Sequence, residues 1–146
     1  MKTLLGIALA IFIVCLALSS CAYARPPHVH FAGYDAGEVV PHPSGCPWSQ
    51  FCGCGAAEHI FGHFVPQSSG LWLASSWRKY PRAACAPGNA AVWSGHVAAI
   101  ESCFGDGTAM LYDANSGGHL TRVHRASLAG AAIVDPHSGR EWATAR

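Results

Sequence analysis

The stretch Ala90-Ala91-Val92-Trp93-Ser94-Gly95-His96-Val97-Ala98-Ala99-Ile100-Glu101 decides how this chain folds. Two apolar runs flank Ser94-Gly95, a turn-forming pair, and together they read as strand, tight turn, strand. Towards the C-terminus, Asp106-Gly107 is a hairpin signal that leads into a strand from Thr108 to Asp113. Ser116-Gly117-Gly118 then turns the chain into residues 119–125, where Leu120, Arg122 and His124 alternate with Thr121 and Val123. Ala131 to Val134 makes a last short strand. In the other direction, Pro87-Gly88 marks a change of pattern. Phe51 to Phe61 reads as a short helix stopped by Gly62, its first turn weakened by Gly53 and Gly55. Gly70 to Tyr80 reads as a second helix, capped by Ser68 or Ser69, with Leu71, Ala74 and Trp77 on one face and Pro81 as its stop. Helices followed by short strands on tight turns define an α+β class with an antiparallel sheet.

The N-terminus carries an address. Lys2 precedes an uncharged apolar run from Leu4 to Leu18, shorter than the roughly 20 residues a membrane span needs. Ala22-Tyr23-Ala24 fits the small-x-small rule of signal peptidase, so residues 1–24 read as a signal peptide and the exported chain begins at Arg25. Leu18-Ser19-Ser20-Cys21 also resembles a lipobox, in which Cys21 would be lipidated and anchor the protein instead. Either route places the protein in the periplasm or outside the cell. No second apolar run exists to span a membrane. The formal net charge is +1 with no basic stripe, which excludes the counterion-release chemistry of nucleic-acid binding. Residues 25–45, rich in Pro, Gly and His, read as an irregular arm. Residues 46–136 form one domain, and 137–146 a tail. Nothing in the sequence speaks to oligomeric state.

Seven cysteines are present, of which Cys15 and Cys21 fall in the signal. Cys46, Cys52, Cys54, Cys85 and Cys103 remain, an odd number in an oxidising compartment, which suggests one free thiol. The other four allow three disulfide connectivities.

A cysteine at the head of a helix, followed by a sheet bearing a histidine and a polar residue, is the layout of a thiol nucleophile site. The helix N-terminus favours thiolate over thiol. An imidazole takes up the proton and returns it to the leaving amine. A third side chain holds the imidazole in the productive tautomer. The candidates are Cys52 or Cys54 as nucleophile, His96 as base, and Asp113 or Asn115 as the orienting group. Asp113 and Asn115 share one face of their strand, because side chains alternate with period two, so an antiparallel neighbour can bring His96 beside one or both. A metal reading competes: Cys52, Cys54, His59 and His63 combine a Cys-x-Cys with a His-x-x-x-His spacing, but Gly62 should end the helix before His63.

Several of these segments resemble a family. Pro87-Gly88-Asn89-Ala90-Ala91-Val92-Trp93, Gly95-His96-Val97-Ala98-Ala99-Ile100-Glu101 and Asp113-Ala114-Asn115 are similar to motifs of the CHAP and NlpC/P60 group of papain-like amidases and peptidases. Trp48-Ser49-Gln50-Phe51-Cys52 and Leu73 to Tyr80 resemble that group's nucleophile helix and the segment after it. The resemblance covers roughly residues 46–135. It implies a papain-like fold, with N-terminal helices on a small antiparallel sheet, and hydrolysis of amide bonds in peptidoglycan or a peptide without metal or other cofactor. It also implies Cys52 as nucleophile ahead of Cys54, His96 as base, Asp113 or Asn115 as orienter, and Gln50 beside the Cys52 backbone N–H as oxyanion donor. Gly53 and Gly55 depart from the family's bulkier residues, and Asn89 stands where aspartate is frequent. The alternative is an exported domain that keeps the fold without catalysis, for binding or envelope structure.

Overall fold

The computed structural model describes residues 37–138. The signal peptide, Cys21 and most of the 25–45 arm lie outside them.

Six strands form one sheet: β1 (Glu38–Val40), β2 (Ala90–Val92), β3 (Val97–Cys103), β4 (Thr108–Ser116), β5 (Leu120–Ser127) and β6 (Ala132–Val134). Their spatial order is β1-β5-β4-β3-β2-β6, and every pairing is antiparallel. The expected turns join them. Trp93 N–H bonds the His96 carbonyl across Ser94-Gly95 at 2.9 Å, and the Asp106 carboxylate accepts the Thr108 N–H at 3.0 Å. One helix, α1 (Cys52–Phe61), packs across β3 and β4. The protein is therefore a small α+β domain with a six-stranded antiparallel sheet. Among the described residues no helix is long and apolar enough to cross a membrane.

Alternation along the strands builds a core on each face. Ala90, Val92 and Val97 point to the α1 side, where they meet Cys52, Ala56, Ala57 and the fully buried Trp77. Ala91, Ala98, Ile100, Ala109 and Leu111 pack together on the other side. Val97 to Ile100 are consequently all buried, which explains a strand that reads as a continuous apolar run.

Three expectations need correction. The segment after α1 is not a second α-helix. It forms two 3₁₀ turns, Gln67–Ser69 and Ala74–Lys79, because Gly70 adopts φ 79° and Leu73 is extended, so no continuous i→i+4 ladder can run through them. The 25–45 arm is not wholly irregular, since Glu38–Val40 adds an edge strand to β5. Finally, Gly53 and Gly55 do not merely loosen α1. A Cβ at Gly53 would lie 2.3 Å from the Trp72 carbonyl oxygen, and one at Gly55 would lie 2.3 Å from the Ala114 Cβ. They are the residues that let the helix approach its neighbours.

Candidate thiol–imidazole site

Cys52 is the first residue of α1, and Phe51 at the N-cap supplies no side-chain cap. The amides of the first turn are thus left free of a capping oxygen, and their positive end falls at the sulfur. Cys46 pairs with Cys54 and Cys85 with Cys103, with Cα–Cα separations of 5.8 and 6.1 Å. Cys52 alone of these five remains a free thiol. This chooses one of the three connectivities, and it removes Cys54 as the alternative nucleophile because its sulfur is already oxidised.

His96 sits at the entrance of β3, immediately after the Ser94-Gly95 turn, and Asp113 lies on the neighbouring β4. The Asp113 Oδ1 is 2.7 Å from His96 Nε2. The Cys52 thiol lies beside the His96 ring and interacts with it, while His96 Nε2 faces the carboxylate. Burial pushes the Cys52 thiol up, but the hydrogen bond and charge of His96, with the backbone amides of Val97 and Gly53, outweigh it and bring the thiol below its ordinary value. His96 is pushed up to about 10, chiefly by its hydrogen bond to Asp113 and then by that to Cys52, against the opposing effect of burial. For Asp113 burial again acts upward, and its bonds to His96 and His124 hold it below the usual carboxylate range. All three shifts favour the charged forms: thiolate, imidazolium and carboxylate in a row.

Asn115 does not share this arrangement. The β4–β5 register is irregular between Asp113 and Ser116, and Asn115 takes φ 61°, which breaks the alternation expected of an unbroken strand. Its Oδ1 instead meets His119 Nδ1 at 3.0 Å. Of the two candidates, Asp113 is therefore the one that hydrogen-bonds His96. Gln50 is exposed and has φ 54°, two residues before Cys52. The four residues of the metal reading do not converge either. Cys54 is in a disulfide, His59 pairs with Glu101 and stacks on Tyr112, and His63 Nδ1 bonds the Phe64 carbonyl at 3.0 Å. Among the described residues no group of three or more His, Cys, Asp or Glu side chains is arranged to hold a metal.

The residue that sequence reasoning missed is His124. Its Nε2 lies 2.9 Å from Asp113 Oδ2, the oxygen that His96 does not use. The only available signal was its place on the alternating face of β5 with Arg122, and a strand pattern does not say which residue it sits diagonal to. A cavity of about 260 Å³ lined by Ser69, Gly70, Leu71, Ser76, Lys79 and Tyr80 contains none of these residues in its wall.

Taken together, fold and site define a disulfide-stapled α+β domain with a helix-borne thiol next to an imidazole–carboxylate pair. No protein-family model, no curated protein and no solved structure matches the chain.

Proposed function

We propose that the protein is an exported cysteine hydrolase of papain-like architecture that cleaves amide bonds, with peptidoglycan peptides as its substrate class. The observation that carries this reading is the free Cys52 at the start of α1, beside His96, which is itself 2.7 Å from Asp113. The nucleophile helix packed on an antiparallel sheet, with base and orienter on successive strands, supports the papain-like comparison. The two disulfides support an oxidising, exported setting.

The chemistry follows from the charges. The Cys52 thiolate attacks the amide carbonyl carbon, and the backbone N–H of Cys52 at the uncapped helix end donates to the developing oxyanion. His96, protonated, gives its proton to the leaving amine as the C–N bond breaks, leaving a thioester. It then takes a proton from water, which attacks the thioester and releases the acid and the thiolate. Asp113 keeps the imidazolium oriented and favours its charge throughout. His96 retains 32% of its side-chain surface, so solvent and substrate reach the pair at the imidazole. An oxidised Cys52, or one turned away from His96, would have ruled out catalysis; its free thiol beside His96 supports the hydrolase over the non-catalytic alternative.

Mapping by mass spectrometry after iodoacetamide treatment of unreduced protein tests this. Cys52 is expected to be labelled selectively at pH 6–7, and His96→Ala should slow that labelling at least about tenfold, the consequence of a thiol pKa one unit higher. Peptidoglycan digests should release new amino groups with wild type and none with Cys52→Ala. Slow labelling of Cys52 unaffected by His96→Ala would refute the reading.

A further inference from the structure

Asp113 is 8% exposed and sits between two imidazoles, one on each carboxylate oxygen. A carboxylate held at one oxygen can swing about its Cβ–Cγ bond; held at both, it has one orientation. The second partner, His124, is diagonal to Asp113 across the β4–β5 ladder, since Asp113 stands opposite Arg122 and His124 opposite Leu111. A diagonal neighbour is within reach only of a long side chain, and the imidazole spans the gap with its far nitrogen. His124 is itself clamped from above. Gly37 runs so close over it that a Cβ there would lie 2.4 Å from the His124 Cβ, and Gly37 adopts φ 65° to do so. Two adjoining elements thus fix an imidazole whose ring meets Asp113.

We propose that His124 is a positioning residue, which donates its Nε2–H to Asp113 Oδ2 and so keeps Oδ1 aimed at His96, making a Cys52–His96–Asp113–His124 relay of contacts. This rests on the reading of Cys52 and His96 as an activated pair. Of the charged side chains on this face, Arg122 is directly opposite Asp113, yet the ion pairs of Asp113 among the described residues are with the two histidines. That choice has a chemical sense. A guanidinium carries a permanent, delocalised charge and grips a carboxylate through a fork, whereas an imidazole donates a single N–H to one carboxylate oxygen and leaves the other to His96. Glu38 is opposite Val123 and Tyr112 faces α1 through His59, so both belong to the other face of the sheet.

The test reads the thiol rather than turnover, using the oxidised full-length exported protein. The rate of Cys52 alkylation is measured from pH 4 to 10 in wild type, His124→Ala and His124→Gln, with far-UV circular dichroism and the native disulfide map as folding controls. With Asp113 free to turn, His96 loses support and the Cys52 thiol pKa should rise by about one unit in His124→Ala, cutting alkylation at acidic pH about tenfold. His124→Gln, which keeps an N–H donor of similar reach, should stay within about twofold of wild type. If His124→Ala does not fold, the glutamine variant carries the test alone and must still reproduce the wild-type profile. Superimposable profiles for wild type and His124→Ala would overturn the proposal, as would a folded glutamine variant shifted as far as the alanine one. A wild-type Cys52 that titrates like an ordinary thiol would instead remove the activated pair itself, and that is read before any variant is compared.

Discussion

At Cys52 the opposing effects are of different kinds, and their balance decides the chemistry. Burial alone would keep the sulfur protonated and inert, as it does for most buried cysteines. The imidazole beside it and the amides at the helix start reverse this, while Asp113 gives His96 its large upward shift. The pH dependence follows with a definite sign. Hydrolysis should rise as Cys52 loses its proton, below the ordinary thiol value of 9.0, and fall only as His96 loses its own at about 10. Because His96 is raised above its ordinary 6.5, the folding stability it contributes is full below pH 6.5 and is lost as pH rises through about 10. Asp113→Asn keeps the shape but removes the charge and the first cause of that rise. The alkaline limb of the hydrolysis profile should therefore move to lower pH; a limb that stays at about 10 would mean that Asp113 does not set the His96 proton affinity. Cys52 and His96 were legible in the sequence because helix start and strand end are local signals. The choice of Asp113 over Asn115 was not, because the irregularity that turns Asn115 away leaves no mark in the pattern of apolar residues.

At the scale of elements, α1 illustrates how an isolated propensity misleads. Gly53 and Gly55 cost a helix roughly 1 kcal/mol each against alanine, so alanine at either place looks stabilising on propensity alone. The packing argues the reverse. At Gly53 the obstructing atoms are the Leu71 and Trp72 carbonyl oxygens, 2.4 and 2.3 Å from the added carbon. The segment that bears them is held by Trp77 Nε1–H to the Leu71 carbonyl at 2.8 Å and Trp72 Nε1–H to the Val65 carbonyl at 2.8 Å. It cannot yield without losing those bonds. Overpacking of this type costs about 1–3 kcal/mol, so Gly53→Ala should lower the urea midpoint despite its better helix propensity. A raised midpoint would show that the segment gives way easily. The five C-terminal strands were readable because turn residues and alternation coincide in them. Strand β1 was not, being three residues at an edge with Val39 exposed. The run after Gly62 has an amphipathic spacing that serves a 3₁₀ turn and an α-helix alike, and the φ of Gly70 with the extended Leu73 separates them.

For the whole molecule, the odd cysteine count pointed to a free thiol, but the pairing depended on which residues the fold brings together. The two disulfides act in different places. Cys46–Cys54 ties the segment ahead of α1 to the helix itself, next to the pair of Cys52 and His96, while Cys85–Cys103 closes a longer loop onto β3 on the opposite face of the sheet. A loop of this longer kind is worth about 3 kcal/mol of unfolded-state entropy. That is a large part of the roughly 5–15 kcal/mol that holds a small domain folded. Cys85→Ala/Cys103→Ala should therefore lower the urea unfolding free energy by about 3 kcal/mol, and leave Cys52 alkylation at neutral pH close to wild type, because nothing in the site touches that bridge. Cys46–Cys54 closes a shorter loop, so Cys46→Ala/Cys54→Ala should cost less stability, yet it frees the first turn of α1 and so should slow Cys52 alkylation more. The two losses are thus expected in opposite order, stability tracking loop length and reactivity tracking distance from α1. If both variants lost stability and reactivity in the same proportion, the site would be no more than a passenger of global folding, and the local role assigned to Cys46–Cys54 would be wrong.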